Sequence, residues 1–148
     1  MFYYINEIFF FLLSIYLMMY LSLILHELGH LVVLKLNKLT FDRIVIGYDK
    51  LGIRIGKRLY CSLLPFFGYI EFDIDKLKRK NAFVLFFSGP MANALVFIIA
   101  LAIIINTYDW KIQFLMVFNC VLFITNVIPV GIKNDCTAFR QYIKEYLQ

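Results

Sequence analysis

Three uncharged runs of membrane-spanning length limit what this chain can fold into. They are Ile8–Leu25, Ala82–Tyr108 and Ile112–Ile132. A spanning helix needs about 20 apolar residues, and lipid admits only backbone that satisfies its own hydrogen bonds. The 148 residues are enough for one domain. Hydrophobic residues make up 62% of them, against roughly 45–50% in soluble domains. So much apolar surface cannot be buried inside a soluble fold of this size, so the bilayer must act as part of the solvent.

The first run continues through the apolar Leu31–Leu34 to about Leu36. The stretch Phe41–Asp75 differs, with short alternating patterns at Ile44–Ile46, Ile53–Ile55 and Tyr69–Phe72 between glycines and Pro65. Asp49-Lys50-Leu51-Gly52 reads as a hairpin turn. The expected fold is a mainly α membrane protein, with a three-transmembrane-helix core and a small membrane-associated β-sheet between helices one and two. A single domain, 1–148, would hold a helix at 8–36, a β-region at 41–75, helices at 82–106 and 112–132, and a cytoplasmic tail at 133–148.

Charge sets the expected orientation. The Lys35–Lys80 connection carries eleven Lys/Arg residues, the N-terminal lead none, and the link between the second and third runs only Lys111. The positive-inside rule puts the N-terminus outside and the large connection and C-terminus in the cytoplasm. Lys76-Leu77-Lys78-Arg79-Lys80 reads as a cytoplasmic stop within reach of anionic headgroups. The net charge of +5 follows from this bias. No soluble basic module with interleaved aromatics is visible, which argues against a nucleic-acid partner. The N-terminus lacks the basic n-region and cleavage site of a secretory signal, so a retained helix is expected. Three widely spaced cysteines, Cys61, Cys120 and Cys136, fit neither a disulfide framework nor a zinc knuckle.

Near the inner end of the first run stands His26-Glu27-Leu28-Gly29-His30, which holds both histidines of the chain. Positions i and i+4 share a helix face, so His26 and His30 can grip one zinc ion. Glu27, about 100° around the helix, can flank the metal and take a proton from the attacking water. Ionisable groups are costly inside a membrane and mark function there. A catalytic zinc needs a third protein ligand, and no histidine remains. Asp135, just past the third run on the predicted inner side, is the favoured ligand, and Cys136 is its rival.

Further motifs carry a resemblance. They are Pro65-Phe66-Phe67-Gly68-Tyr69-Ile70, Ser88-Gly89-Pro90-Met91-Ala92-Asn93, and Asn126-Val127-Ile128-Pro129 followed by Asp135. In this order, behind the histidine motif, they cover roughly Leu21 to Asp135. The chain resembles the site-2 protease family of intramembrane zinc metalloproteases, as a minimal bacterial-type member. The resemblance implies His26, His30 and Asp135 as zinc ligands and Glu27 as catalytic base. It also implies Asn126 as a side chain that holds the substrate backbone or the developing oxyanion. The glycine-proline sites are expected at helix ends, with Pro129 and Gly131 interrupting the third segment; Asn93 reads as an interhelical hydrogen-bonding residue. Two departures stand out: Cys136 replaces the glycine that follows the family's aspartate, and the Asn126-to-Asp135 spacing is about a residue longer than the commonest form.

The function expected is a zinc-dependent intramembrane endopeptidase, cutting a transmembrane or membrane-bound peptide near the cytoplasmic face. Its partners would be a membrane-embedded peptide or single-pass protein and the lipid bilayer, and its location a bacterial cell membrane. The alternative is a catalytically inactive zinc-binding membrane scaffold or chaperone-like partner, which Cys136 favours. A metal-handling role is weaker, since no Met- or Cys-rich path accompanies the two histidines.

Overall fold

The computed structural model describes residues 2–48, 52–129 and 134–147. In chain order come α1 (Phe2–Leu36), β1 (Phe41–Ile46), β2 (Gly52–Ile55), β3 (Leu59–Ser62), β4 (Gly68–Phe72), α2 (Arg79–Ile104), α3 (Trp110–Val127) and α4 (Asp135–Leu147). The fold is mainly helical with a small sheet between α1 and α2, as the sequence predicts. Three helices are long and apolar enough to cross a membrane: Tyr4–Leu36, Lys80–Ile104 and Trp110–Val127. Their outward side chains, among them Ile8, Phe9, Leu95, Ile98 and Val117, are apolar and exposed. Water would penalise such a surface and acyl chains would not.

Local chemistry sets the helix ends. α1 stops where Lys38 takes a left-handed φ of 56°. The Leu39 N–H then donates to the Leu34 carbonyl at 2.9 Å, and the Lys38 N–H to that of Lys35 at 3.0 Å. This is a Schellman closure, which satisfies carbonyls the helix leaves open. α3 ends at Val127, short of the expected 132. Pro129 disfavours helical geometry at the preceding residue, and Ile128 is extended (φ −92°, ψ 129°). Gly131 lies outside the described residues. Gly89-Pro90 marks no helix end: α2 runs through it without a break, with Pro90 inside the helix.

The sheet order is β2-β3-β1-β4. The expected turn residues Asp49–Leu51 lie outside the described residues, but the strands flanking them are not partners. β2 pairs instead with β3, antiparallel, Gly52 opposite Ser62 and Ile55 opposite Leu59. The hairpin turn falls at 56–58, where Gly56 adopts φ +74°, a conformation glycine takes at no steric cost. β3, which the alternation pattern missed, then pairs in parallel with β1. β4 pairs antiparallel with β1 and forms one edge of the sheet.

Residues expected only as a tail form the amphipathic α4. Phe139, Tyr142 and Ile143 share one face of it and pack where α1, α2 and the sheet meet, around Leu34, Leu77, Ala82, Leu85 and Phe86. The Tyr142 hydroxyl donates to the Leu77 carbonyl at 2.7 Å, just ahead of α2. Phe139 meets the rings of Phe83, Phe86 and Phe87. Each buried aromatic of this kind contributes on the order of 2 kcal/mol, so α4 is docked rather than loosely tethered.

Candidate metal centre

α1 presents His26 and His30 one turn apart, facing α2. The helices approach closely here because Gly29 has no side chain: a Cβ there would run into the Ser88 carbonyl. Opposite, Gly89 leaves room for both imidazoles, since a Cβ on it would overlap the Nε2 atoms of His26 and His30. Asp135 arrives from α4. Its Oδ2 lies 3.1 Å from His26 Nε2 and its Oδ1 3.3 Å from His30 Nε2. The two Nε2 atoms are 3.2 Å apart.

Hydrogen bonds on the far side of each ring say where the protons are. His30 Nδ1 lies 2.8 Å from the Leu85 carbonyl, which can only accept, so Nδ1 carries the proton. His26 Nδ1 lies 2.5 Å from Asn93 Oδ1, also an acceptor. In the neutral rings both Nε2 atoms therefore carry lone pairs. They face each other and a carboxylate, three acceptors with no donor between them. Asp135 Oδ2 accordingly accepts no hydrogen bond among the described residues. A cation resolves the conflict. Zinc bound by nitrogen and oxygen at about 2.0–2.2 Å, in tetrahedral geometry, separates neighbouring ligand atoms by about 3.3–3.6 Å. The observed 3.1–3.3 Å gaps are close to that spacing. His26, His30 and Asp135 form the one group among the described residues that could hold a metal ion. Cys136, the rival ligand, is outside it.

Asp135 depends on Asn134 for its position. The Asn134 side-chain oxygen accepts from the Thr137 N–H at 2.8 Å, and the Asn134 backbone N–H donates to Thr137 Oγ1 at 2.8 Å. This reciprocal cap starts α4. The Asn134 side-chain Nδ2 donates to the carbonyls of Thr125 (2.7 Å) and Ile128 (2.8 Å), left open where α3 ends. Asn134 thus joins the two helices one residue before Asp135. A carboxylate must be ionised to bind a metal.

Glu27 is buried beside this cluster, and its Oε2 has no hydrogen-bond partner among the described residues. It packs against β4 at Gly68, where a Cβ would overlap its carboxylate. Glu27, Gly68, Tyr69 and Asp135 line two cavities, of about 380 and 250 Å³. The larger continues along Ile70, Phe72 and Gln141, the smaller along Phe66, Leu122 and Asn126. Asn126 therefore shares a wall with the cluster, while its amide donates to Leu122 in its own helix at 2.9 Å. Sequence reasoning placed Asn93 only between helices and missed Asn134. The signal for Asn134 was an Asx residue with Thr three positions on, a helix-start pattern.

Gly89 yields a direct prediction. Gly89→Ala drives a methyl group into both imidazoles, and overpacking of this kind costs about 1–3 kcal/mol. Zinc affinity, measured against a competing chelator, is expected to fall at least about tenfold, while the protein stays folded in detergent.

A carboxylate poised beside a two-histidine, one-aspartate cluster, on a helix of membrane length, is the equipment of a metallohydrolase that works within the bilayer. Sequence comparison agrees: residues 14–111 match the model of peptidase family M50. The match covers more than half of the chain, which therefore belongs to peptidase family M50, the site-2 protease family of zinc metalloproteases. No curated protein matches the chain. The family match ends before Asn126 and Asp135, so on that side of the centre the geometry stands by itself.

Proposed function

We propose that the protein is a zinc-dependent endopeptidase that cuts a membrane-embedded peptide or single-pass protein near the cytoplasmic face. The observation that carries this reading is the buried Glu27 carboxylate, its Oε2 without a hydrogen-bond partner among the described residues, between the His26–His30–Asp135 cluster and the edge strand β4. His26, His30 and Asp135 would hold the zinc. Bound there, zinc supplies a Lewis-acid charge that polarises a carbonyl and acidifies water. Glu27 takes the proton of the attacking water and passes it to the leaving amine. Asn126, across the smaller cavity, turns its amide to the substrate backbone or the developing oxyanion.

A helical substrate shields its amides, so it must unwind before it is cut. β4 is an edge strand of the sheet, and the unwound chain would pair with it. A strand laid along Gly68–Phe72 would run from one cavity to the other past Glu27 and Asp135. The basic connection faces the cytoplasm in this reading, with the N-terminus outside. Gly89 lies roughly 15 Å along α2 from Arg79, at 1.5 Å per residue, so the centre would sit in the cytoplasmic half of the apolar span, below the headgroups.

The test is co-expression with tagged single-pass peptides, with fragments sized by mass spectrometry. Cleavage is expected within the apolar segment, lost on chelation and restored by zinc. Prolines placed several residues from the cut, where they remove pairing N–H groups, are expected to slow cleavage. Indifference to them would count against edge pairing. The inactive-scaffold reading, which rests on Cys136, predicts bound zinc and no fragment.

A further inference from the structure

A chain of buried polar side chains runs away from the metal centre through all three apolar helices. His26 Nδ1 meets Asn93 Oδ1 at 2.5 Å. The Asn93 amide donates to Asn119 Oδ1 at 2.8 Å and to the Ser22 carbonyl at 3.4 Å. The Asn119 amide donates to Ser22 Oγ at 2.9 Å and to the Leu115 carbonyl at 2.8 Å. The Ser22 hydroxyl donates to the Met18 carbonyl at 2.9 Å. Ser22, Asn93 and Asn119 are fully buried.

The direction of this chain is fixed from its far end. Backbone carbonyls only accept, so the Leu115 carbonyl requires the amide nitrogen of Asn119 on its side. Asn119 must then turn its oxygen to Asn93. Asn93 in turn must give its nitrogen to Asn119 and its oxygen to His26. Flipping Asn93 alone would set its oxygen against Asn119 Oδ1 and the Ser22 carbonyl. Flipping Asn119 alone would set oxygen against the Leu115 carbonyl and nitrogen against nitrogen. An acceptor facing His26 Nδ1 places the proton there and leaves the Nε2 lone pair for a metal.

We infer that Asn119, together with Asn93, is a positioning residue for zinc binding, which sets the tautomer of His26 from the third helix. The inference rests on the reading of His26 as a zinc ligand. Asn119 touches no ligand, belongs to none of the motifs and lies beyond the family match. Hydrogen bonds between membrane helices also hold bundles together, and that role alone would need no particular direction. Disturbing the partners behind a metal-binding histidine typically costs tenfold to a hundredfold in metal affinity.

The test uses the full chain in detergent and has two readouts. The first is imidazole ¹⁵N chemical shifts of the metal-free protein, which report which nitrogen of each ring carries the proton. With only His26 and His30 in the chain, two ring patterns appear. Both are expected to be Nδ1-protonated in the wild type. Asn119→Leu is expected to move the His26 pattern toward Nε2 protonation and leave His30 unchanged. The second readout is zinc affinity by chelator competition, expected to drop roughly tenfold to a hundredfold in Asn119→Leu. Phe97→Ala loosens the same α2–α3 contact beside Cys120 and Phe123 without touching the chain, and is expected to keep wild-type affinity and tautomers.

An Nε2-protonated His26 in the wild type would overturn the inference. So would an Asn119→Leu protein with unchanged tautomer and affinity, or equal zinc loss in Asn119→Leu and Phe97→Ala. If Asn119→Leu does not fold, Asn119→Ser removes the same link with a smaller polar group, and the same outcomes apply. A wild-type protein with the expected tautomers and no zinc affinity would sink the metal reading and leave the tautomer relay standing.

Discussion

Glu27→Gln is expected to leave zinc in place and to cut the rate of peptide hydrolysis by about a hundredfold to ten-thousandfold, the range for losing a general base. The structure separates the two effects. Glu27 lies outside the group of ligand atoms, so replacing it removes nothing that holds the ion. Glutamine has the same shape and fits the space that Gly68 leaves. Among the described residues the Glu27 Oε2 has no partner to be orphaned by the change. What is lost is the ability to accept and return a proton. The check is the cleavage rate of a reconstituted single-pass peptide, with zinc content measured on the same sample. Full activity in Glu27→Gln would show that some other group moves the proton.

Asp135→Ala is expected to reduce zinc affinity by more than about a hundredfold, since it removes a ligand where loss of a mere supporting partner costs 10–100-fold. Cys136→Ala is expected to leave affinity at the wild-type level. The contrast follows from the first turn of α4. Asp135 points its oxygens to 3.1 and 3.3 Å from the two imidazoles, while Cys136 contributes no atom to the cluster. The fold should survive Asp135→Ala, because Tyr142, Phe139 and the Asn134–Thr137 cap dock α4 independently. Zinc per protein after dialysis against a weak chelator, with thermal unfolding of the same samples, reads both claims. Retained zinc in Asp135→Ala, or its loss in Cys136→Ala, would reverse the assignment of the third ligand.

The features legible in the sequence were those encoded locally. The uncharged runs announce α1, α2 and α3, and the i, i+4 spacing of His26 and His30 needs only helical geometry. Asp135 was reachable as well, because charge bias and run length bring it to the same end of the bundle. Features that depend on non-local pairing were not legible. Asp49–Gly52 looks like a hairpin turn, yet β3 inserts between β1 and β2, and no alternation pattern reports which strand comes next in a sheet. Gly89-Pro90 reads as a helix terminus until α2 is seen to run through it, with Gly89 serving imidazole packing instead. α4 was hidden by its brevity and its charge. Asn119 looked like one polar residue in an apolar run. Only the juxtaposition of three helices gives its amide a direction.

X-ray absorption at the zinc edge of the purified wild-type protein reads directly what surrounds the metal. The predicted spectrum shows one zinc with two imidazoles at about 2.0–2.1 Å, oxygen ligands at about 2.0–2.2 Å and no sulfur. A sulfur shell at about 2.3 Å, or a protein that takes up no zinc, would contradict it.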